Sequence, residues 1–312
     1  MGRADVYEND YLENEKIFAD LVNGVLYQGR QVVRPEDLRE QDGELRSLSG
    51  KKAKKTIRDK VRLWKGTILA VFAVENQTKV DYHMVIRAML SESMAYDKQW
   101  KKRKDQLSSG KEKLSPDEFI SSMRKEDKFI PVITIVVYYG TEKPWDGAKS
   151  LYELLDAEGY EKEVFPFITN YQLNVFDYHD HDSFGQFHTE LQTVFEFLRY
   201  SDNEKLLREK MESHREQYEE LSNEAKILLA QLTNMKEVPG IEEEDFRRGE
   251  FSMCKAFEDR EKRGRAIEII ETGHEFHFSE DQILERLQNK LNISAEEAGE
   301  YIAEIDLEEK VS

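Results

Sequence analysis

The stretch Arg58-Asp59-Lys60-Val61-Arg62-Leu63-Trp64-Lys65-Gly66-Thr67-Ile68-Leu69-Ala70-Val71-Phe72-Ala73-Val74-Glu75-Asn76-Gln77 decides the fold. Its first part alternates apolar Val61 and Leu63 with charged Lys60 and Arg62, and Lys65-Gly66 is a two-residue turn signal. The run from Ile68 to Val74 is apolar and rich in β-branched residues, so the stretch predicts a β-hairpin whose second strand is buried on both faces. In an antiparallel pair Asp59 falls roughly across from the end of that second strand, where Glu75 and Gln77, two positions apart, share a face. Two carboxylates at the end of a rigid element are hard oxygen donors of the kind that hold a divalent cation. A carboxylate at a strand end is also an ordinary solvated terminus.

Upstream, Ile17, Phe18, Leu21, Val22 and Val25 recur at spacings of three and four and predict a helix over 12–27 with Asn14 as its cap. Residues 28–57 read as a polar connection with Pro35 opening a short helical turn, and with Val32-Val33 and Leu45 to Leu48 as candidate edge strands. Downstream, Met84, Arg87, Ala88, Ser91, Met94 and Ala95 line one side of a helix over 80–103. An arginine on so apolar a stripe requires a carboxylate or phosphate partner, such as Glu75 or Asp59 in the resting fold, whereas Tyr96 faces the other way and reads as a packing residue. A polar excursion over 105–128 carries a short helix capped by Ser115. The most apolar strand, Ile130 to Tyr139, then enters the sheet centre, followed by a strand over 170–177 and a helix from near Phe184 to 200.

Asp59, Glu75-x-Gln77, the helix with Arg87 and Tyr96, the strand Phe129 to Gly140 and the pair Pro144-Trp145, in this order, resemble the Rpn family of recombination-promoting nucleases, also described as YhgA-like transposases. That family is similar to the PD-(D/E)xK nuclease superfamily, and the resemblance covers about residues 10–200. It implies an α/β fold, a PD-(D/E)xK nuclease-like mixed sheet flanked by helices, built on a strand–strand–helix–strand core. It further implies a DNA endonuclease with Asp59, Glu75 and Gln77 as the catalytic set. Asp59 and Glu75 would bind Mg2+ or another divalent cation, with Glu15 on the preceding helix as a third candidate ligand. Glu15 also has the plainer role of complementing a helix dipole, and Asp20 is a weaker candidate. Gln77 departs from the lysine many superfamily members carry there, and its amide can orient water or phosphate without adding positive charge.

The chain has 312 residues and a formal net charge of -18, which opposes a protein that coats nucleic acid by bulk electrostatics. The positive charge is clustered, however. Lys51, Lys52, Lys54, Lys55, Arg58, Lys60, Arg62 and Lys65 form one basic run, and Lys98, Lys101, Lys102, Arg103 and Lys104 another. Both could be solvated loops; flanking a metal site, they are what a phosphate-tracking groove needs, with Arg87, Lys55, Arg58, Lys60, Arg62, Lys101 and Lys102 as the DNA contacts. No stretch has the roughly 18–20 apolar residues of a membrane span, and the N-terminus lacks the apolar core of a signal peptide, so a cytoplasmic protein with no membrane partner is expected. The single cysteine, Cys254, excludes an internal disulfide and reads as an ordinary helix thiol. His179, His181 and Asp182 could suggest a transition-metal site, but Asp182 or Ser183 reads as well as a helix cap.

The sequence divides into 1–202, the nuclease-like domain, and 203–312, a helical and strongly charged region. The latter holds 29 Asp and Glu against 16 Lys and Arg. It predicts amphipathic helices over 204–235 ending at Val238-Pro239-Gly240, a charged stalk near 251–265, and a helix pair opened by the capping-box pattern Ser279 to Gln282. Such a tail suits homo-oligomerisation or docking, and the acidic last helix opposes a DNA-reading helix-turn-helix. Two non-enzymatic classes stay open beside the nuclease: a catalytically lapsed relative that binds nucleic acid or protein, and an assembly protein whose tail is the functional part.

Overall fold

The computed structural model describes residue 7 and residues 10–40, 59–74, 80–110, 113–141, 143–233 and 243–311. Glu75, Gln77, Lys55 and Arg58 lie outside the described residues, as do the candidate strand at Leu45 to Leu48 and the break at Val238-Pro239-Gly240. The chain divides into two compact units, Met1–Asp202 and Asn203–Ser312.

The first unit is a mixed α/β structure. Helix α1 (Glu15–Tyr27) starts where Asn14 accepts from the Lys16 N–H at 3.0 Å, and ends at Gln28 in the left-handed conformation. A short 3-10 turn, Pro35–Asp37, leads into β1 (Leu38–Glu40), an edge strand that the sequence pattern did not mark. The expected edge strand at Val32-Val33 is instead a connection tied to α1, since the buried Asn23 amide donates to Val33 O and accepts from the Val32 and Val33 N–H groups.

The hairpin forms as its pattern predicts. β2 (Asp59–Trp64) pairs antiparallel with β3 (Thr67–Val74), and Lys65 and Gly66 both take positive φ, 43° and 77°, which matches the twist of a two-residue hairpin turn. Helix α2 (Met84–Ser109) is the crossover that parallel pairing requires, and α3 (Pro116–Ser121) is held by a Ser115/Glu118 capping box. β4 (Val132–Tyr138) then runs parallel to β3, and β5 (Asn174–Asp177) runs parallel to β4 beyond a connection that includes the single helical turn α4 (Glu161–Val164). The sheet order is β1-β2-β3-β4-β5, so β3 is the central strand and β4 its neighbour.

Strand alternation gives each sheet face its cover. Val136 and Tyr138 pack with Val80, Met84, Val85 and Ala88 of α2 and the segment before it. On the other face Tyr139 stacks on Phe195 of α5 (Leu191–Tyr200), and Phe176 meets Phe187 and Phe195. Helix α5 begins at Leu191 rather than near Phe184, and neither Asp182 nor Ser183 caps it. Its start is fixed from α1 instead. The buried Asp20 carboxylate accepts the N–H groups of His188 and Thr189 and the Thr189 hydroxyl, at 2.7–3.0 Å. Those bonds account for Asp20 structurally.

The second unit is helical throughout its described residues. It comprises α6 (Glu204–Ser213), α7 (Arg215–Glu219), α8 (Asn223–Leu232), α9 (Glu243–Arg248), α10 (Met253–Glu275), α11 (Glu280–Leu291) and α12 (Ala295–Val311). The capping box at Ser279 and Gln282 is present. The expected helix pair is a three-helix cluster, because Ala266 and Ile270 of the stalk α10 join Ile283, Leu287, Leu291, Ala298 and Ile302 in one core. Gly273 continues that stripe, and a Cβ there would meet Ile283 Cγ1 at 2.6 Å, so glycine permits the close approach of α11. No helix among the described residues is long and apolar enough to cross a membrane.

Candidate functional site

The hairpin register fixes Asp59. It opens β2 opposite Phe72, two residues before the last residue of β3, Val74, after which Glu75 follows in sequence. The parallel pairings extend that end of the sheet, since Val74 pairs with Tyr138 and Tyr138 with Asp177. The carboxyl ends of β3, β4 and β5 therefore lie in one row, the edge at which open α/β sheets place ligands.

The segments that leave this row are tied to one another. After β3, Asp81 accepts from the Arg87 guanidinium with one oxygen and from the His83 N–H at 3.0 Å with the other. Tyr82 donates to Asp146 at 3.3 Å, and Lys143 Nζ bonds both Asp146 at 2.8 Å and Tyr82 Oη at 3.3 Å, joining the segment after β3 to the one after β4. The segment after β4 is joined in turn to β5, as the Trp145 N–H donates to Asp177 Oδ2 at 2.6 Å. Asp177 Oδ1 accepts the His179 N–H at 2.9 Å and the His179 ring Nδ1 at 2.7 Å. Burial pushes the Asp177 carboxyl up, but the hydrogen bonds from His179 and Trp145 outweigh it and hold the group below its ordinary value. The ionised carboxylate only accepts, so Nδ1 carries the ring proton.

The structure places the predicted residues unevenly. Arg87 lies half-buried at this edge, in the first turn of α2, and its partner is Asp81 rather than Glu75 or Asp59. Lys60 pairs in register with Val71 next to Asp59. Glu15 is exposed in the first turn of α1. The carboxylate that meets β2 from this end of the chain is Glu13, just before the cap of α1 and 2.9 Å from Arg62. Arg62 is corrected by that contact: its side chain is 3% exposed, lies over the Phe18 ring and bonds Glu13, so it is a core cation and not a phosphate contact. Its alternation with Val61 and Leu63 suggested a solvated face because the sequence does not show that α1 covers it.

Lys101 and Lys102 are corrected in position. They stand fourteen and fifteen residues beyond Arg87 on the same helix, about 21 Å along its axis at the usual helical rise. That part of α2 packs at the opposite edge of the sheet, where Tyr96 Oη accepts the Val132 N–H at 3.1 Å and Ala95 meets Val61 and Ile68. Lys101 is also paired with Asp97 at 2.6 Å. The second basic run therefore does not flank the proposed metal site.

The His179, His181 and Asp182 grouping is dispersed. His179 faces Asp177, His181 stacks on Phe176, and Asp182 is solvated near Arg199. Among the described residues no group of three or more His, Cys, Asp or Glu converges to hold a metal ion. Sequence reasoning missed Glu13, Asp81 and Asp177. Only Asp177 carried a signal, as a carboxylate closing an apolar strand. Cys254 is buried, and burial followed by the nearby Glu219 pushes its thiol up to about 11, which favours the protonated form at neutral pH. No family model, curated protein or solved structure matches the chain.

Proposed function

We propose that Met1–Asp202 is a divalent-metal-dependent DNA endonuclease of PD-(D/E)xK nuclease-like fold that hydrolyses phosphodiester bonds in the service of recombination, in the cytoplasm. The observation that carries the reading is the β2–β3 hairpin passing through α2 to a parallel β4, with Asp59 opposite Phe72, two residues before the end of β3. This is the strand–strand–helix–strand order that the resemblance to the Rpn family implies, and it brings Asp59 close to the strand end from which Glu75 and Gln77 follow.

The donor set fits the ion. Asp59, Glu75 and Glu15 offer only carboxylate oxygens, the hard ligands that Mg2+ takes. Asp59 and Glu75 would hold the cation, with Glu15 as the third candidate. The bound ion would supply a water activated for attack and neutralise charge growing on the phosphate. Gln77 orients water or phosphate through its amide. Arg87 exchanges Asp81 for a phosphate oxygen, a move its half-buried position allows, and Lys55, Arg58 and Lys60 contact the backbone. Plasmid nicking by the full chain with Mg2+, abolished by EDTA, is the expected result; absence of cleavage under any metal overturns the reading.

One observation favours the second reading, a catalytically lapsed nuclease fold that binds DNA or protein. Arg87 is engaged by Asp81, and the amide of Gln77 adds no positive charge of its own. DNA binding that persists without metal and without cleavage would identify that state.

A further inference from the structure

Among the described residues of the first unit, two of the exposed apolar surfaces have charged residues of opposite sign nearby in the chain. The first is the knoll made by α3, where Phe119 is 75% and Ile120 82% exposed. It is built firmly. The capping box fixes the turn, Trp100 Nε1 donates to Ser121 O at 3.2 Å, and Gln99 bonds both the N–H and the carbonyl of Ile130. Lys104 lies 5.3 Å from the Trp100 ring, and exposed Lys125 follows α3 closely in the chain. The end of α2, residues 98–104, holds five Lys and Arg and no Asp or Glu, whereas 113–128 hold four of each, so the positive charge beside the knoll comes from α2.

The second surface is the connection between β4 and β5. Phe167 is 88% exposed and Tyr160 48%. Here too the backbone is fixed: the single Tyr152 hydroxyl proton is shared between Phe165 O at 2.8 Å and Ile168 O at 2.6 Å, while the ring stacks on Phe165 at 4.1 Å. Residues 151–170 carry five Asp and Glu against one Lys, among them the exposed Glu158 and Glu163.

We propose that these surfaces are the two halves of a self-association interface, the α3 knoll of one copy, with the basic end of α2 beside it, docking on the acidic Phe167 surface of a second copy. Large exposed apolar side chains rimmed by charge mark interaction sites. The opposite signs select each other and repel a like surface. Both halves lie on every copy, so the contact can be made between like molecules, closing as a pair or ring or repeating head to tail, which the sedimenting mass distinguishes. The placement of the second basic run, at the far end of α2 from Arg87, puts it outside the proposed nuclease site and beside the α3 knoll. Association therefore resides in residues 1–202, separately from any contribution of the C-terminal helices.

The test is sedimentation of the full chain and three charge variants, with circular dichroism to confirm the fold. Lys104→Glu/Lys125→Glu and Glu158→Lys/Glu163→Lys should each weaken association by about tenfold or more, a cost of about 1.4 kcal/mol per decade. The combined swap should restore it. High salt should weaken the wild-type assembly. A monomeric wild type at all concentrations overturns the proposal, as does an assembly that neither variant changes. Loss of DNA binding in Lys104→Glu/Lys125→Glu with unchanged mass also overturns it, by making the run a nucleic-acid contact. None of these readouts depends on cleavage.

Discussion

Arg62 Nη2 lies 2.9 Å from Glu13 Oε2, with the guanidinium 5.8 Å from the centre of the Phe18 ring. This contact ties the start of α1 to β2, three residues from Asp59. It uses both parts of an arginine, the charged fork toward a carboxylate at the rim and the flat cation over an aromatic face. A basic residue that a strand pattern assigns to solvent is thereby part of the core.

Arg62→Ala should accordingly lower stability by about 2–3 kcal/mol, through lost packing under α1 and loss of the charge pair. Glu13, whose side chain is 56% exposed, can return to water, which keeps the cost below that of a fully buried pair. Urea unfolding reads the loss. The DNA affinity of the folded variant should match wild type, and a selective fall in affinity at unchanged stability would contradict the assignment.

Asp177 accepts from two backbone N–H groups and the His179 ring, and its folded-state carboxyl is held below its unfolded value. The folded state thus binds the proton less readily than the unfolded one. The resulting stability is present above the ordinary carboxylate value of about 4 and is lost as pH falls through the lower folded value. Asp177→Asn should be less stable than wild type by about 1–3 kcal/mol near neutrality. Denaturation at neutral and acid pH should show the gap closing with acidification. A gap independent of pH would contradict the ionised-acceptor account.

The cap that Asp20 supplies to the segment before α5 is long-range, joining positions 20 and 188–189. Asp20→Ala strips three donors of their acceptor inside the protein and should cost about 2–3 kcal/mol. Asp20→Asn, which keeps one carbonyl oxygen, should cost less. Thermal unfolding of both variants checks the order, and DNA cleavage by the folded Asp20→Asn protein should be unchanged.

The elements legible in the sequence are those whose signals are local. The alternation and Lys65-Gly66 turn, the Asn14 and Ser115 caps and the Ser279 to Gln282 box all act within a few residues, and each forms as its pattern dictates. What the pattern hides depends on distant partners. β1 is too short to carry a period. The start of α5 is set by Asp20 rather than by its own neighbours, and Arg62 looks solvated until α1 covers it. The candidate site divides the same way. Asp59 could be placed opposite the end of β3 from turn geometry alone, yet the partner of Arg87 and the remoteness of Lys101 and Lys102 follow from the direction of α2 across the sheet.

The most direct measurement is plasmid nicking by purified wild type, Asp59→Ala and Glu75→Ala, each with Mg2+ and with EDTA. The account predicts metal-dependent cleavage by wild type and a fall of about a hundredfold or more in both variants, the loss expected when a ligand of the activating ion is removed. Equal cleavage by all three proteins would place the chemistry elsewhere, and the assignment of Asp59 and Glu75 would be contradicted.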